Sequence, residues 1–188
     1  MAPSRPTVFF DFIDPLSYLL SLEIEQSGTP GVDWLPLELR PPPTPLIDID
    51  DPSLADRWRD ARAIAADLGV ELSPPRLVPW TRKAHELVLF SSEHDRGDAL
   101  RRRLFDAYML EGRDIGRVDV LIEAATGLDL PRTETKAVLD VDRYEAEVAS
   151  IRDAALGNDV IDPPTILSGT LRLEGFHNRQ MLGTLLGT

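Results

Sequence analysis

Two carboxylates three residues apart lead a short polar run, Asp11-Phe12-Ile13-Asp14-Pro15-Leu16-Ser17-Tyr18. Carboxylates that face one pocket raise one another's proton affinity and can share a proton, which is the chemistry of a general acid–base pair. The same residues have a plainer use. An aspartate directly before a proline starts a helix well: its side chain accepts from first-turn amides, and proline suits the first helical position. Such a cap is worth about 1 kcal/mol. Ser17 falls in the first turn, where its hydroxyl bonds the helix backbone or assists the pair. Tyr18 packs inward or lines a pocket mouth.

Composition narrows the chemistry further. The chain has no cysteine, and thiol–disulfide exchange needs a thiolate. His85, His94 and His177 are its only histidines. Their spacing matches no common zinc pattern, so no metal is expected. Trp58 and Trp80 read as core or pocket wall. A net charge of -12 argues against a nucleic-acid partner, which requires clustered Lys and Arg. The densest basic run, Arg101-Arg102-Arg103, reads as the solvated face of a helix. No segment has the length and apolarity of a membrane span and no signal-peptide pattern is visible, so a cytoplasmic location is the default expectation.

The elements that would position the carboxylates follow from periodicity and punctuation. Thr7 to Ile13 is apolar, β-branched and aromatic, as in a buried strand. A helix from Leu16 to Gln26 stops near Gly28, and after a turn at Pro30-Gly31 a second strand runs from Asp33 to Leu39. The opening β-α-β implies a parallel pair. Past the proline-rich stretch Arg40 to Pro45, helical spacing dominates over 54–68, 82–94, 98–111, 118–126, 134–139 and 143–156. Strand character returns at Thr165 to Leu167 and Thr170 to Leu173, with Ser168-Gly169 as the hairpin signal. A last helix covers about 178–186.

This order, together with the motifs, resembles the DsbA-like superfamily of thioredoxin-fold proteins. The Asp11–Tyr18 run is similar to its active-site turn, D-x-x-[CS]-P-x-[CS]-[YW]. Cysteines occupy the bracketed positions in FrnE-like dithiol oxidoreductases; serine does so in 2-hydroxychromene-2-carboxylate isomerases and kappa-class glutathione transferases. Thr81-Arg82-Lys83-Ala84-His85-Glu86-Leu87 resembles the FrnE-like N-T-x-x-A-H-x-L helix start. Leu104-Phe105-Asp106-Ala107-Tyr108, with Glu111-Gly112-Arg113-Asp114-Ile115 and Val120-Leu121, resembles its L-F-x-A-Y…E-G-x-D-I…V-L run. Pro163-Pro164-Thr165-Ile166, followed by Gly175, stands where the family carries V-P-T-F and a later glycine.

The resemblance implies an α/β thioredoxin-like fold, β-α-β … β-β-α, with a DsbA-type helical insertion. It implies a single domain over 1–188, with thioredoxin-like parts at about 6–45 and 158–188 and the insertion at about 53–157. It places Asp14, Asp11 and Ser17 at the catalytic position and Tyr18, Pro163, Pro164 and Thr165 at the substrate position, with Pro164 in cis. The departures weigh against glutathione as a cofactor. Asp14 puts a carboxylate where relatives stabilise a thiolate, and two like charges at ~4 Å and an effective dielectric of about 20 repel by about 4 kcal/mol. Pro163 has no N–H for strand-like pairing with a peptide or glutathione backbone.

Two functions remain: a non-redox small-molecule pocket protein, isomerase- or transferase-like, or a catalytically inactive binding module that kept the fold. The sequence is compatible with a small-molecule ligand and with a homodimer. One outcome is common to both readings. Added to an insulin and dithiothreitol mixture, the chain will not accelerate disulfide reduction over the uncatalysed turbidity trace.

Overall fold

The structure, a computed structural model, describes residues 5–28 and 31–186. Pro30 of the expected turn lies outside them. β1 (Thr7–Phe10) leads into α1 (Pro15–Ser27) and β2 (Asp33–Pro36). Helices α2 (Pro52–Asp67), α3 (Arg82–Ser92), α4 (Gly97–Met109), α5 (Val118–Thr126), α6 (Arg132–Asp140) and α7 (Glu145–Gly157) follow. The chain closes with β3 (Thr165–Ser168), β4 (Leu171–Glu174) and α8 (Arg179–Leu186). It divides into two compact units, Met1–Leu39 with Ile151–Thr188, and Arg40–Ser150.

In the first unit the strands lie in the order β2-β1-β3-β4. β1 and β2 are parallel, with Val8 opposite Trp34, whereas β3 runs antiparallel to both β1 and β4. Side chains alternate across the sheet, as strand geometry requires. Val8 and Ile166 face Leu20, Ile24 and Leu182 of α1 and α8, whereas Phe9 turns to the other face with Leu37, Ala155 and Val160. The sheet is therefore apolar on both sides, which explains the continuous apolar run in β1.

Strand ends differ from the sequence expectation. β1 stops at Phe10 rather than Ile13 because the chain turns there, with the Asp14 N–H donating to the Asp11 carbonyl at 3.2 Å. Pairing with the β2 segment nevertheless continues beyond Pro36, since Leu37 N–H donates to the Phe10 carbonyl at 2.8 Å. The hairpin turn is Gly169-Thr170 rather than Ser168-Gly169: Ser168 pairs with Leu171. Gly169, at φ 59°, supplies the positive φ that a two-residue hairpin loop demands.

The second unit is helical. α3 packs against α4, α5 and α6, and its Leu87 and Phe90 are fully buried. A polar seam fastens α3 to the α6–α7 connection. Lys83 Nζ donates to the Leu139 carbonyl and to Asp142, and Glu86 accepts from Tyr144 N–H at 3.0 Å. The Tyr144 hydroxyl donates to Glu93 at 2.6 Å. Burial and the Glu93 carboxylate push the Tyr144 phenol up to about 12.

The basic run of α4 is not a uniformly solvated face. Arg101 is buried and pairs with Asp98 at 3.1 Å, Arg102 with Asp106 at 2.9 Å and Arg103 with Glu111 at 2.8 Å. Each guanidinium has an acid within reach on the same stretch of chain, so one of them can leave water. No helix among the described residues is long and apolar enough to cross a membrane.

Glu86 gives this unit a pH signature. Its side chain is wholly buried and Oε1 has no hydrogen-bond partner. Desolvation raises its pKa above the ordinary 4.5, against the opposing pull of Tyr144 N–H and Lys83. Between 4.5 and that raised value the folded state holds a proton the unfolded chain has released, so stability falls as pH rises through the window. Glu86→Gln keeps the acceptor for Tyr144 and buries no charge. Urea denaturation is expected to show the variant more stable than the parent at neutral pH, with the gap closing as pH falls through that window and constant below about pH 4.5.

Candidate functional site

The α1 turn is built by its own first residues. Asp14 adopts an extended backbone (φ -91°, ψ 112°) at the N-cap, with Pro15 opening the helix. One carboxylate oxygen accepts from Leu16 N–H at 3.3 Å; the other accepts from Ser17 N–H at 2.7 Å and the Ser17 hydroxyl at 2.5 Å. Three donors thus converge on one carboxylate, and two are amides that a helix start leaves unsatisfied. The macrodipole adds to their attraction for negative charge. At the other end Gly28, at φ 69°, closes the helix in the left-handed conformation, which glycine adopts without steric cost.

Asp11 serves a different neighbour. Its Oδ2 accepts from Leu39 N–H at 2.8 Å. A side-chain oxygen there continues the pairing between the β1 and β2 segments after the backbones part. Phe10 packs edge-on against Phe12 and Trp34, at 5.1 and 5.6 Å between ring centroids, and closes the apolar side of this corner.

Pro163, Pro164 and Thr165 stand at the entrance to β3. The Pro163–Pro164 bond is cis, as the resemblance implies; a second cis bond, Pro42–Pro43, was not foreseen. The Pro164 carbonyl accepts from Gly175 N–H at 2.8 Å, and the Thr165 hydroxyl donates to the Asp162 carbonyl at 2.7 Å. Thr165 lies opposite Phe9 in the β1–β3 ladder, which brings the start of β3 beside the end of β1. Asp14 and Ser17 are thus directly bonded, and Asp11 joins them through its backbone carbonyl. Tyr18 continues the helix, its N–H donating to the Asp14 carbonyl at 3.3 Å.

All seven residues are buried; Asp11, Asp14 and Ser17 have no exposed surface, and Tyr18 and Thr165 are 1% exposed. The histidines have their own settings. His85 is buried in α3, His94 packs edge-on to Phe90, and His177 Nε2 bonds the Glu174 carbonyl at 3.1 Å.

Sequence reasoning did not find Glu23. This carboxylate, 1% exposed within α1, accepts from Arg179 N–H at the start of α8, and Arg179 Nε lies 3.7 Å from its other oxygen. The available signal was an acid flanked by Leu22 and Ile24, one of two glutamates in the second half of α1.

A mixed sheet with an antiparallel hairpin, a helix springing from the end of β1 and a cis-proline entering β3 define a thioredoxin-like fold. Residues 7–175 match the DSBA-like thioredoxin domain family, and the chain belongs to it. It is 28% identical over 176 residues to YwbO, an uncharacterised protein of Bacillus subtilis, covering 89% of this chain and 88% of that one. A structure of 2-hydroxychromene-2-carboxylate isomerase superposes with a TM-score of 0.82 at 18% identity, over 98% of this chain and 95% of the other. A probable DsbA oxidoreductase of Streptomyces coelicolor superposes with a TM-score of 0.80 at 20% identity, over 97% and 90% of the two chains.

The donors of this turn are engaged within the chain. The Leu16 and Ser17 amides that would receive a thiolate already bind the Asp14 carboxylate, and Pro163 offers no N–H to a ligand backbone. Removing the carboxylate leaves these donors without an acceptor in a buried place. Asp14→Ala is expected to destabilise the protein by about 2 kcal/mol, and Asp14→Ser, which retains a capping oxygen, by ~1 kcal/mol or less. Equilibrium denaturation midpoints at constant slope measure both.

Proposed function

We propose that this chain is a non-redox member of its family, a binding protein that kept the thioredoxin-like frame and gave up chemistry at the α1 turn. One observation supports the reading above the others: Asp14 is fully buried, and both its oxygens accept from the first turn of its own helix. A general acid or base must reach the proton it moves. Here the group at the reactive position is turned inward and committed to holding α1. Missing cysteine removes the thiol route, and Asp14 closes the anion site to an exogenous thiolate.

A second reading draws on Asp11. Two carboxylates are buried three residues apart, an arrangement from which an isomerase-like acid–base pair could be made. The likeness in fold to 2-hydroxychromene-2-carboxylate isomerase makes that reaction the natural assay. Wild type and Asp14→Asn are compared in the isomerisation of 2-hydroxychromene-2-carboxylate, with and without glutathione. The expected result is no rate above the uncatalysed reaction for either protein. Turnover by wild type that drops by about 10²-fold or more in Asp14→Asn would replace the binding reading with the acid–base one.

A further inference from the structure

The helical unit contains a cavity of about 200 Å³ built entirely from residues between Ile49 and Pro75. One wall is a stripe of α2: Leu54, Ala55, Trp58 and Arg62, spaced so that they share one helical face. Pro74 and Pro75 form the facing wall. Prolines carry no N–H, and the side chains of the lining that carry donors belong to α2.

Two side chains of α2 bear on the cavity, Arg62 as the donor and Trp58 as the buried ring that reports on it. Trp58 is 3% exposed, and its indole Nε1 is buried with no hydrogen-bond partner. Buried donors in folded proteins are nearly always paired; Trp80, by comparison, donates its Nε1 to the Thr44 carbonyl at 2.9 Å. Arg62 is exposed at the same cavity and makes no ion pair among the described residues. One turn earlier Arg59 pairs with Asp56 at 2.7 Å. A guanidinium without an acid partner, in a chain with 32 acidic residues, is a standing site for an external carboxylate.

We propose that this cavity binds a small organic acid, a single-ring or short branched-chain monocarboxylate. The apolar body lies between the α2 stripe, Trp58 included, and the two prolines, and the carboxylate accepts from Arg62. The overall negative charge does not forbid such a ligand, because at physiological salt charges beyond about 8 Å are largely screened and the nearby guanidinium dominates. The site is independent of how the α1 turn is read, since no residue of the first unit enters it.

The test follows the indole N–H resonance of Trp58, identified by its disappearance in Trp58→Phe. Benzoate is titrated in, with benzyl alcohol as the uncharged probe of the same size. Expected is a saturable shift of that resonance with a dissociation constant of about 1 mM or tighter. Arg62→Gln should weaken benzoate by about fivefold and leave benzyl alcohol unchanged. Ala55→Leu, which fills the cavity, should abolish both shifts. If Ala55→Leu does not fold, the exposed Arg62→Gln decides alone. No saturable shift with benzoate, equal affinity for benzyl alcohol, or indifference to Arg62→Gln would overturn the proposal.

Discussion

A helix that begins at the end of a strand presents a cluster of amide N–H groups to whatever lies before it, and that cluster has to be answered by something negative. The organisation of the first unit follows from this demand. α1 packs Leu20 and Ile24 onto Val8 and Ile166, so the helix start cannot drift without disturbing the sheet. Its polarity thereby fixes an anion-seeking point at the end of β1. In a protein with cysteine or serine there, the point is available for chemistry. In this chain the Asp14 carboxylate, held by two amides and the Ser17 hydroxyl, occupies it. A cap and a reactive group at this point draw on one set of donors, and in this chain the cap is bonded to them.

Most of the frame was legible because its signals are local. The Asp14-Pro15 start of α1 and its Gly28 stop come from capping rules that involve only neighbouring residues. The apolar β1 run and the hairpin glycine act in the same way. What escaped the sequence is the pairing of charged groups across long separations. Asp11 with Leu39 N–H, Glu23 with Arg179 N–H and Glu86 with Tyr144 N–H all join residues far apart in the chain. An acid on a helix usually faces water, and nothing in the neighbourhood of Glu23 or Glu86 announces that a remote amide will meet it. The burial of Arg101 was hidden because a charged residue on a helix usually faces water, even though its partner Asp98 is local. At the candidate site the identities of the residues could be read, but not that each would be buried and bonded inward.

These buried acids share a logic. Each accepts from a backbone N–H at a place where regular structure begins or breaks: Asp14 at the start of α1, Glu23 at the start of α8, Glu86 in the connection before α7, and Asp11 where the β1–β2 ladder runs out. Backbone donors that leave one element before joining another must be satisfied when buried. Carboxylates do this over a longer reach than carbonyls of the adjacent chain. The acidic composition of the chain is thus partly architectural, a set of internal connectors as well as a solvated surface.

The interleaved layout of the chain has a further consequence for its biosynthesis. The sheet cannot be completed from its N-terminal half: Val8 of β1 pairs with Ile166 of β3, on the far side of the whole helical unit. On a ribosome β1, α1 and β2 emerge early and must wait for their antiparallel neighbours, whereas the helical unit is continuous over Arg40–Ser150 and rich in local contacts of the kind that form quickly. The entropic cost of closing so long a loop grows only by about 0.6 kcal/mol per doubling of its length, so the delay is one of timing more than of free energy. During that interval the apolar faces of β1 and α1 are exposed, the state in which nascent chains are most exposed to aggregation and to chaperone capture.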